Sequence, residues 1–130
     1  MIVLSTLVWG LSGHAKWDRE TLLFQLLLPG IDEEMMFRGV LLGLLLTALK
    51  ERIALIGSPA IGITAVLFGC SHAVTVGAHY SIHFDPFYFL QTALAGYVWG
   101  WITFKSRSIL LAIVSHNLCN FFGTLATMIK

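Results

Sequence analysis

A dense group of ionisable residues near the start of the chain constrains its fold more than any other feature. The chain contains only eight Lys or Arg and seven Asp or Glu residues, and four of these fifteen lie between positions 32 and 38. Residues 22–28 and 40–49 on either side carry no charge. A charge in such a segment costs roughly 2.5–3.5 kcal/mol when the segment enters a bilayer. An ionisable cluster there therefore indicates a functional site.

The composition indicates a membrane as the main surroundings of this chain. Hydrophobic residues make up 57% of the 130 positions and charged residues 12%, whereas soluble domains average about 25% charged residues. The net charge is only +1, and the sequence lacks the cluster of Lys and Arg that nucleic-acid binding requires. We therefore expect one domain, residues 1–130 with a core at 21–129, whose partner is the lipid bilayer and not nucleic acid.

The long apolar segments predict an all-α fold, a polytopic transmembrane bundle of about four helices. None of them shows the alternation that transmembrane β-strands require. A shorter apolar segment, residues 2–11, falls below the ~20 residues that a span needs, so we expect an interfacial piece or the remnant of a span. The four helices are predicted at residues 21–49, at 53 or 59 to 76, at 86–104 and at 109–129.

Polar residues between these segments predict breaks and an orientation. Pro29 and Gly30 interrupt the first helix, and Asp32 is expected to cap the restarted helix. The basic turns at 50–52 and 105–107 fall on one side of a four-span topology, which the positive-inside rule assigns to the cytoplasm. This pattern predicts a multi-pass protein located in the cell membrane.

The spacing within the acidic cluster predicts different tasks for its two glutamates. Glu34 and Arg38 are four residues apart, so they share a helix face with the acid on the N-terminal side, the favourable order for an ion pair. Glu33 is rotated by about 100° from Glu34 and cannot share that partner equally. We therefore expect a structural Glu34 and a Glu33 whose basicity suits it to general base catalysis.

Two further helices carry polar residues inside apolar segments. Phe68 and His72 lie four apart on the second predicted helix, and His116 and Asn120 lie four apart on the fourth. Residues four apart point in the same direction, so His116 and Asn120 offer two hydrogen-bond donors to one point. Two such donors are what an oxyanion requires.

The three motifs together resemble the CAAX protease and bacteriocin-processing (CPBP, or Abi) intramembrane proteases, which include the Ras-converting CAAX endoprotease. They are Glu33-Glu34-x-x-x-Arg38 with Gly39 following, Phe68-x-x-x-His72, and His116-x-x-x-Asn120. The resemblance implies an endopeptidase that cleaves near the C-terminus of a membrane-associated or prenylated protein, or of a sorting signal as in the short myxosortase-like members.

The resemblance also implies a role for each matched residue and no cofactor. Glu33 and His72 would activate a water molecule, and His116 with Asn120 would stabilise the oxyanion. Glu34 and Arg38 would hold the first motif in shape, and Phe68 would be a packing residue.

Several alternatives remain open from the sequence. Glu33, His72 and His116 are a plausible zinc ligand set with an open position for water, and His79 and His83 form a weaker candidate pair. Cys119, three residues after His116, would serve as a nucleophile if the two shared a face, although packing is the expected role for Cys119 and Cys70. A third alternative is a non-catalytic membrane immunity or transport protein.

Overall fold

The computed structural model describes residues 18–49 and 58–129, and this part of the chain is mostly helical. The predicted N-terminal segment 2–11 and the basic turn 50–52 lie outside the described residues. The prediction of a mostly helical protein is confirmed.

The first apolar segment forms four successive helical pieces. They are α1 (Arg19–Leu27), α2 (Pro29–Glu34), a π-helical segment (Met35–Leu41) and α3 (Leu42–Leu49). The break falls at Leu28, because Pro29 lacks a backbone N–H and is accommodated at the first position of a new helix. The prediction that Asp32 caps the restarted helix is wrong, since α2 begins three residues earlier and Asp32 lies inside it.

The remaining helices begin where local capping signals predict. α4 (Pro59–Ala73) starts after Ser58, whose side chain accepts a hydrogen bond from the Ala60 backbone N–H. α5 (Pro86–Ser106) starts after Asp85, which accepts hydrogen bonds from two backbone N–H groups of the first turn. α6 (Leu110–Ile129) follows a tight turn in which Arg107 adopts a left-handed conformation.

A short β-hairpin follows α4 and corrects the prediction of an entirely α-helical chain. The second helix was predicted to continue to residue 76, but it ends at Ala73, and β1 (Val74–Val76) pairs antiparallel with β2 (Ile82–Phe84). β-branched side chains restrict χ1 and favour an extended backbone, and all three residues of β1 are β-branched.

Close packing of α4 and α5 forms the centre of the described bundle. A Cβ atom added at Gly96 would lie 3.1 Å from a Phe68 ring carbon, and one at Gly100 would lie 3.0 Å from Ile61. These two glycines, four residues apart, therefore let the two helices approach each other closely. α1 and α2 pack against α6.

The outer face of α6 is apolar and its inner face is polar. Leu110, Val114, Leu118 and Phe122, each four residues from the next, are exposed, whereas residues 116 and 117, a histidine and an asparagine, are buried. This reverses the pattern of a helix in a soluble protein, where the polar face meets water. Among the described helices, α6 alone is long and apolar enough to cross a membrane, so the predicted four-span topology remains a proposal.

Candidate active site

Three parts of the fold bring together most of the residues that the sequence motifs single out. Glu33 and Glu34 lie at the end of α2, His72 lies in the last turn of α4, and His116 lies in the middle of α6. Arg38 joins them from the π-helical segment. Helices α4 and α6 are separated along the chain by the hairpin and α5. Only the folded bundle therefore assembles the cluster.

Glu34 is fully buried and has two charged or polar partners. Its Oε1 accepts a hydrogen bond from Arg38 Nη1 at 3.0 Å and one from His116 Nδ1 at 2.8 Å. The ion pair with Arg38 is the one that the spacing predicts. The bond to His116, 82 residues away, was not predicted. Glu34 therefore orients a histidine of the third motif as well as the arginine of its own.

Arg38 is held by a backbone carbonyl and by aromatic rings. Its Nη2 donates to the Gly96 carbonyl at 2.7 Å, and its guanidinium lies 4.6 Å from the Phe68 ring centre. Attraction between a cation and a ring face stabilises a guanidinium that has little access to water. Phe68, which is 2% exposed, also has its ring centre 4.3 Å from that of His72. Phe68 thus packs between the arginine and the histidine.

Glu33 faces both histidines. Its Oε2 lies 3.4 Å from His72 Nε2 and 3.8 Å from His116 Nε2. This oxygen is buried, and it has no hydrogen-bond partner of normal geometry among the described residues. The Glu33 side chain is 22% exposed and that of Glu34 is 0% exposed. Glu34 Oε2 is likewise buried without a partner among the described residues, but Glu33 is the less enclosed of the two glutamates, and its Oε2 is the oxygen that faces both histidines.

Hydrogen bonds at Nδ1 determine what each histidine presents to Glu33. His72 Nδ1 lies 2.9 Å from the Phe68 carbonyl, and His116 Nδ1 lies 2.8 Å from the Glu34 carboxylate. Because a carbonyl and a carboxylate oxygen accept, we assign the proton of each neutral ring to Nδ1. Both Nε2 atoms would then direct lone pairs at a carboxylate. The cluster therefore requires a further proton, on Glu33 or on one Nε2, or a donor placed between them.

Two residues that support the site were missed by the sequence reasoning. Trp99 on α5 stacks on His116 with ring centres 4.0 Å apart and planes 10° apart. Asn117 is buried, and its Oδ1 accepts the Gly30 backbone N–H at 2.7 Å, which ties the start of α2 to α6. An amide inside an apolar segment is a signal for such an anchor, whereas nothing in the sequence pairs Trp99 with His116.

The remaining candidate residues lie at the edge of the cluster or outside it. Asn120 is half-buried one turn beyond His116 on α6 and has no hydrogen-bond partner within the described part of the chain. Cys119 is exposed whereas His116 is buried, so the Cys–His pair that a nucleophile requires is not supported. His79 and His83 lie in the exposed hairpin region, where His83 pairs with Ser81.

The candidate metal ligands are Glu33, His72 and His116. The donor types suit zinc, and a histidine that is hydrogen-bonded through its second ring nitrogen is typical of metal ligands. Within residues 18–49 and 58–129, however, no group of three or more His, Cys, Asp or Glu side chains has the arrangement needed to hold a metal ion.

Comparison with known proteins places these motifs in one family. A family model described as type II CAAX prenyl endopeptidase Rce1-like matches residues 15–122, which include every candidate site residue named above. No curated protein and no solved structure shows significant similarity to the chain. Because this match covers most of its length, the chain belongs to the Rce1-like family of type II CAAX prenyl endopeptidases.

Proposed function

We propose that this protein is an intramembrane endopeptidase that hydrolyses a peptide bond near the C-terminus of a membrane-associated or prenylated protein. The observation that carries the proposal is the position of Glu33 Oε2, 3.4 Å from His72 Nε2 and 3.8 Å from His116 Nε2. A carboxylate oxygen without a partner of its own, between two imidazole nitrogens, suits the binding and deprotonation of a water molecule.

In the proposed reaction, Glu33 and His72 activate the water. Glu33 takes one proton as the water oxygen forms a bond to the carbonyl carbon of the peptide, which produces a tetrahedral oxyanion. The bond between carbon and nitrogen then breaks, and the leaving nitrogen receives a proton from Glu33 or His72. The products are a carboxylic acid and an amine, and no cofactor is consumed.

His116 and Asn120 are proposed to stabilise the oxyanion. Because Glu34 engages Nδ1 of His116, a donor at Nε2 requires the doubly protonated ring, whose positive charge would lie between the Glu33 and Glu34 carboxylates. The side-chain amide of Asn120 supplies a second donor. Charge stabilisation of this kind acts strongly where water is excluded.

The surface of the helices supports a substrate that approaches from the lipid. Large apolar side chains are exposed on every described helix, Leu44 at 63% and Phe122 at 59% among them, and such extensive exposed apolar surface is rare in soluble monomers. We propose a multi-pass protein of the cell membrane. A lipidated substrate would then reach the site by lateral diffusion.

A peptide panel in detergent tests the proposal. Purified full-length protein is incubated with C-terminal peptides of the Cys-aliphatic-aliphatic-X type, farnesylated or not, and the products are identified by mass spectrometry. We expect cleavage of the farnesylated peptides, and a fall of about 10²–10⁴-fold in Glu33→Gln and in His72→Gln. Asp32→Asn, which removes the exposed neighbouring acid, is the matched control and is expected to cleave at the normal rate.

Two outcomes would overturn the proposal. Undiminished cleavage by both Glu33→Gln and His72→Gln would refute the water-activating pair. Failure of the wild-type protein to cleave any peptide of the panel would favour the alternative of a non-catalytic membrane immunity or transport protein.

The proposed mechanism uses no metal, and a chelator separates it from the zinc-dependent version. Treatment with a strong zinc chelator, followed by its removal, is expected to leave the rate of cleavage unchanged. Loss of activity that added zinc restores would instead assign Glu33, His72 and His116 as metal ligands.

A further inference from the structure

A cavity lies beside Arg38, away from the residues that face Glu33. It has a volume of about 580 Å³ and opens between the segment from the π helix to α3 and the turn from α5 to α6. None of Glu33, His72, His116 and Asn120 lines it. It is therefore separate from the candidate active site, although both share the Arg38 side chain.

The base of this cavity carries two buried polar groups without partners. Arg38 is 2% exposed and Thr103 is 9% exposed, and both line the cavity. Arg38 Nε and Thr103 Oγ1 have no hydrogen-bond partner within the described residues. A buried donor left unpaired destabilises the fold, so a ligand that reached these groups and accepted hydrogen bonds from them would relieve that loss.

The rim of the cavity is basic and its wall is apolar. Lys105 and Arg107 lie at the α5–α6 turn, and the described residues that line the cavity include no Asp or Glu. The N-terminal end of α6, with its positive partial charge, adjoins the same turn. Leu42 and Leu46 also line the cavity, and Gly43, where an added Cβ would meet no atom within 4 Å, leaves open space beside them.

We propose that this cavity binds the phosphate headgroup of an anionic phospholipid, with part of an acyl chain along the α3 wall. The basic rim and the unpaired donors match a phosphate diester, and the leucines match a hydrocarbon chain. Basic recesses between helices at a membrane surface bind anionic headgroups in this way. The inference does not depend on the proposed proteolysis.

Native mass spectrometry of the purified protein in detergent tests this site. The probes are phosphatidylglycerol and phosphatidylcholine of equal chain length, with glycerol 3-phosphate as a soluble competitor. We expect selective retention of phosphatidylglycerol by the wild-type protein, and about 30-fold weaker retention in Lys105→Gln/Arg107→Gln, from roughly 1 kcal/mol for each lost charge. Arg19→Gln, which removes an exposed charge on α1, is the control and should retain the lipid normally.

Two glycine-to-phenylalanine variants, one that fills the cavity and one that does not, provide a second test that leaves the charges intact. A Cβ added at Gly43 or at Gly62 meets no atom within 4 Å, but Gly43 alone of the two lines the cavity. We expect Gly43→Phe to reduce lipid retention about tenfold and Gly62→Phe to leave it unchanged.

Three results would overturn the inference. These are equal retention of the two lipids, full displacement of phosphatidylglycerol by glycerol 3-phosphate at matched concentration, and normal retention in both Gly43→Phe and the double charge variant. The second result would assign the site to a soluble phosphate compound.

Discussion

Adjacent glutamates in this protein have opposite surroundings. Glu34 is fully enclosed and binds Arg38 and His116 through one oxygen, whereas Glu33 is partly exposed and has only longer contacts, of 3.4 and 3.8 Å, to two histidines. On α6, Asn117 is bonded to the Gly30 backbone, whereas Asn120 has no partner among the described residues. In each pair, we infer that one member holds the bundle together and the other is left available for a reactant.

The different surroundings of the two glutamates predict the largest difference in stability between two variants of this protein. Glu34→Gln leaves Arg38 buried without its counter-charge, and breaking a buried ion pair costs about 3–5 kcal/mol. Glu33→Gln is expected to change the free energy of unfolding by less than about 1 kcal/mol, because Glu33 is partly exposed and its contacts with the two histidines are long, at 3.4 and 3.8 Å. Titration with a denaturing detergent, followed by circular dichroism, measures both. Equal destabilisation by the two variants would remove the distinction between them.

The two asparagines extend the comparison to α6. Asn120→Ala is expected to lower kcat about 10²-fold with little change in stability, since removal of one oxyanion donor costs about that much. Asn117→Ala leaves the Gly30 N–H without its acceptor and should cost about 1–3 kcal/mol of unfolding free energy. Cleavage kinetics and detergent titration on both variants check this. A loss of stability confined to Asn120→Ala would reverse the assignment.

Gly30 tests how closely α2 must approach α6. A Cβ at this position would lie 2.5 Å from Asn117 Oδ1 and 2.9 Å from the Ile113 carbonyl oxygen. We expect Gly30→Ala to cost about 1–3 kcal/mol through forced separation of the two helices. Gly43→Ala is the control, because its Cβ meets nothing within 4 Å. If detergent titration showed an unchanged free energy of unfolding for Gly30→Ala, α2 and α6 could separate at this point without loss of stability.

The smallest effect is expected at Asp18, an acid with local hydrogen bonds at the exposed start of α1. Hydrogen bonds from the Thr21 hydroxyl and from backbone N–H groups lower the pKa of Asp18 below its ordinary value of 3.8. The stabilisation is therefore fully present above that pH and is lost as pH falls through the lower folded-state pKa. Asp18→Asn should melt slightly below wild type at pH 7, and the difference should vanish at strongly acidic pH. A constant difference at all pH values would contradict this.

The sequence motifs predicted much of the candidate site because their geometry is local. Four-residue spacing on a helix placed Arg38 beside Glu34, and the resemblance of the three motifs matched the family that the whole-chain comparison identifies. Prediction failed where the backbone left regular α-helix. Positions 35–41 form a π-helical segment where a regular helix was expected, although the Glu34–Arg38 pair at its start still forms, and the chain after Ala73 turns into a hairpin.

By itself, the sequence determined where helices start, which residues share a face and which family the chain belongs to. Pro29, Pro59 and Pro86 each mark a helix start, because a proline's fixed φ and missing N–H are accommodated in the first turn. Only the tertiary structure decided that Glu34 bonds His116, that Trp99 stacks on that ring and that Glu33 faces two imidazoles. These contacts join distant positions, so they depend on how whole helices pack, which no local spacing encodes.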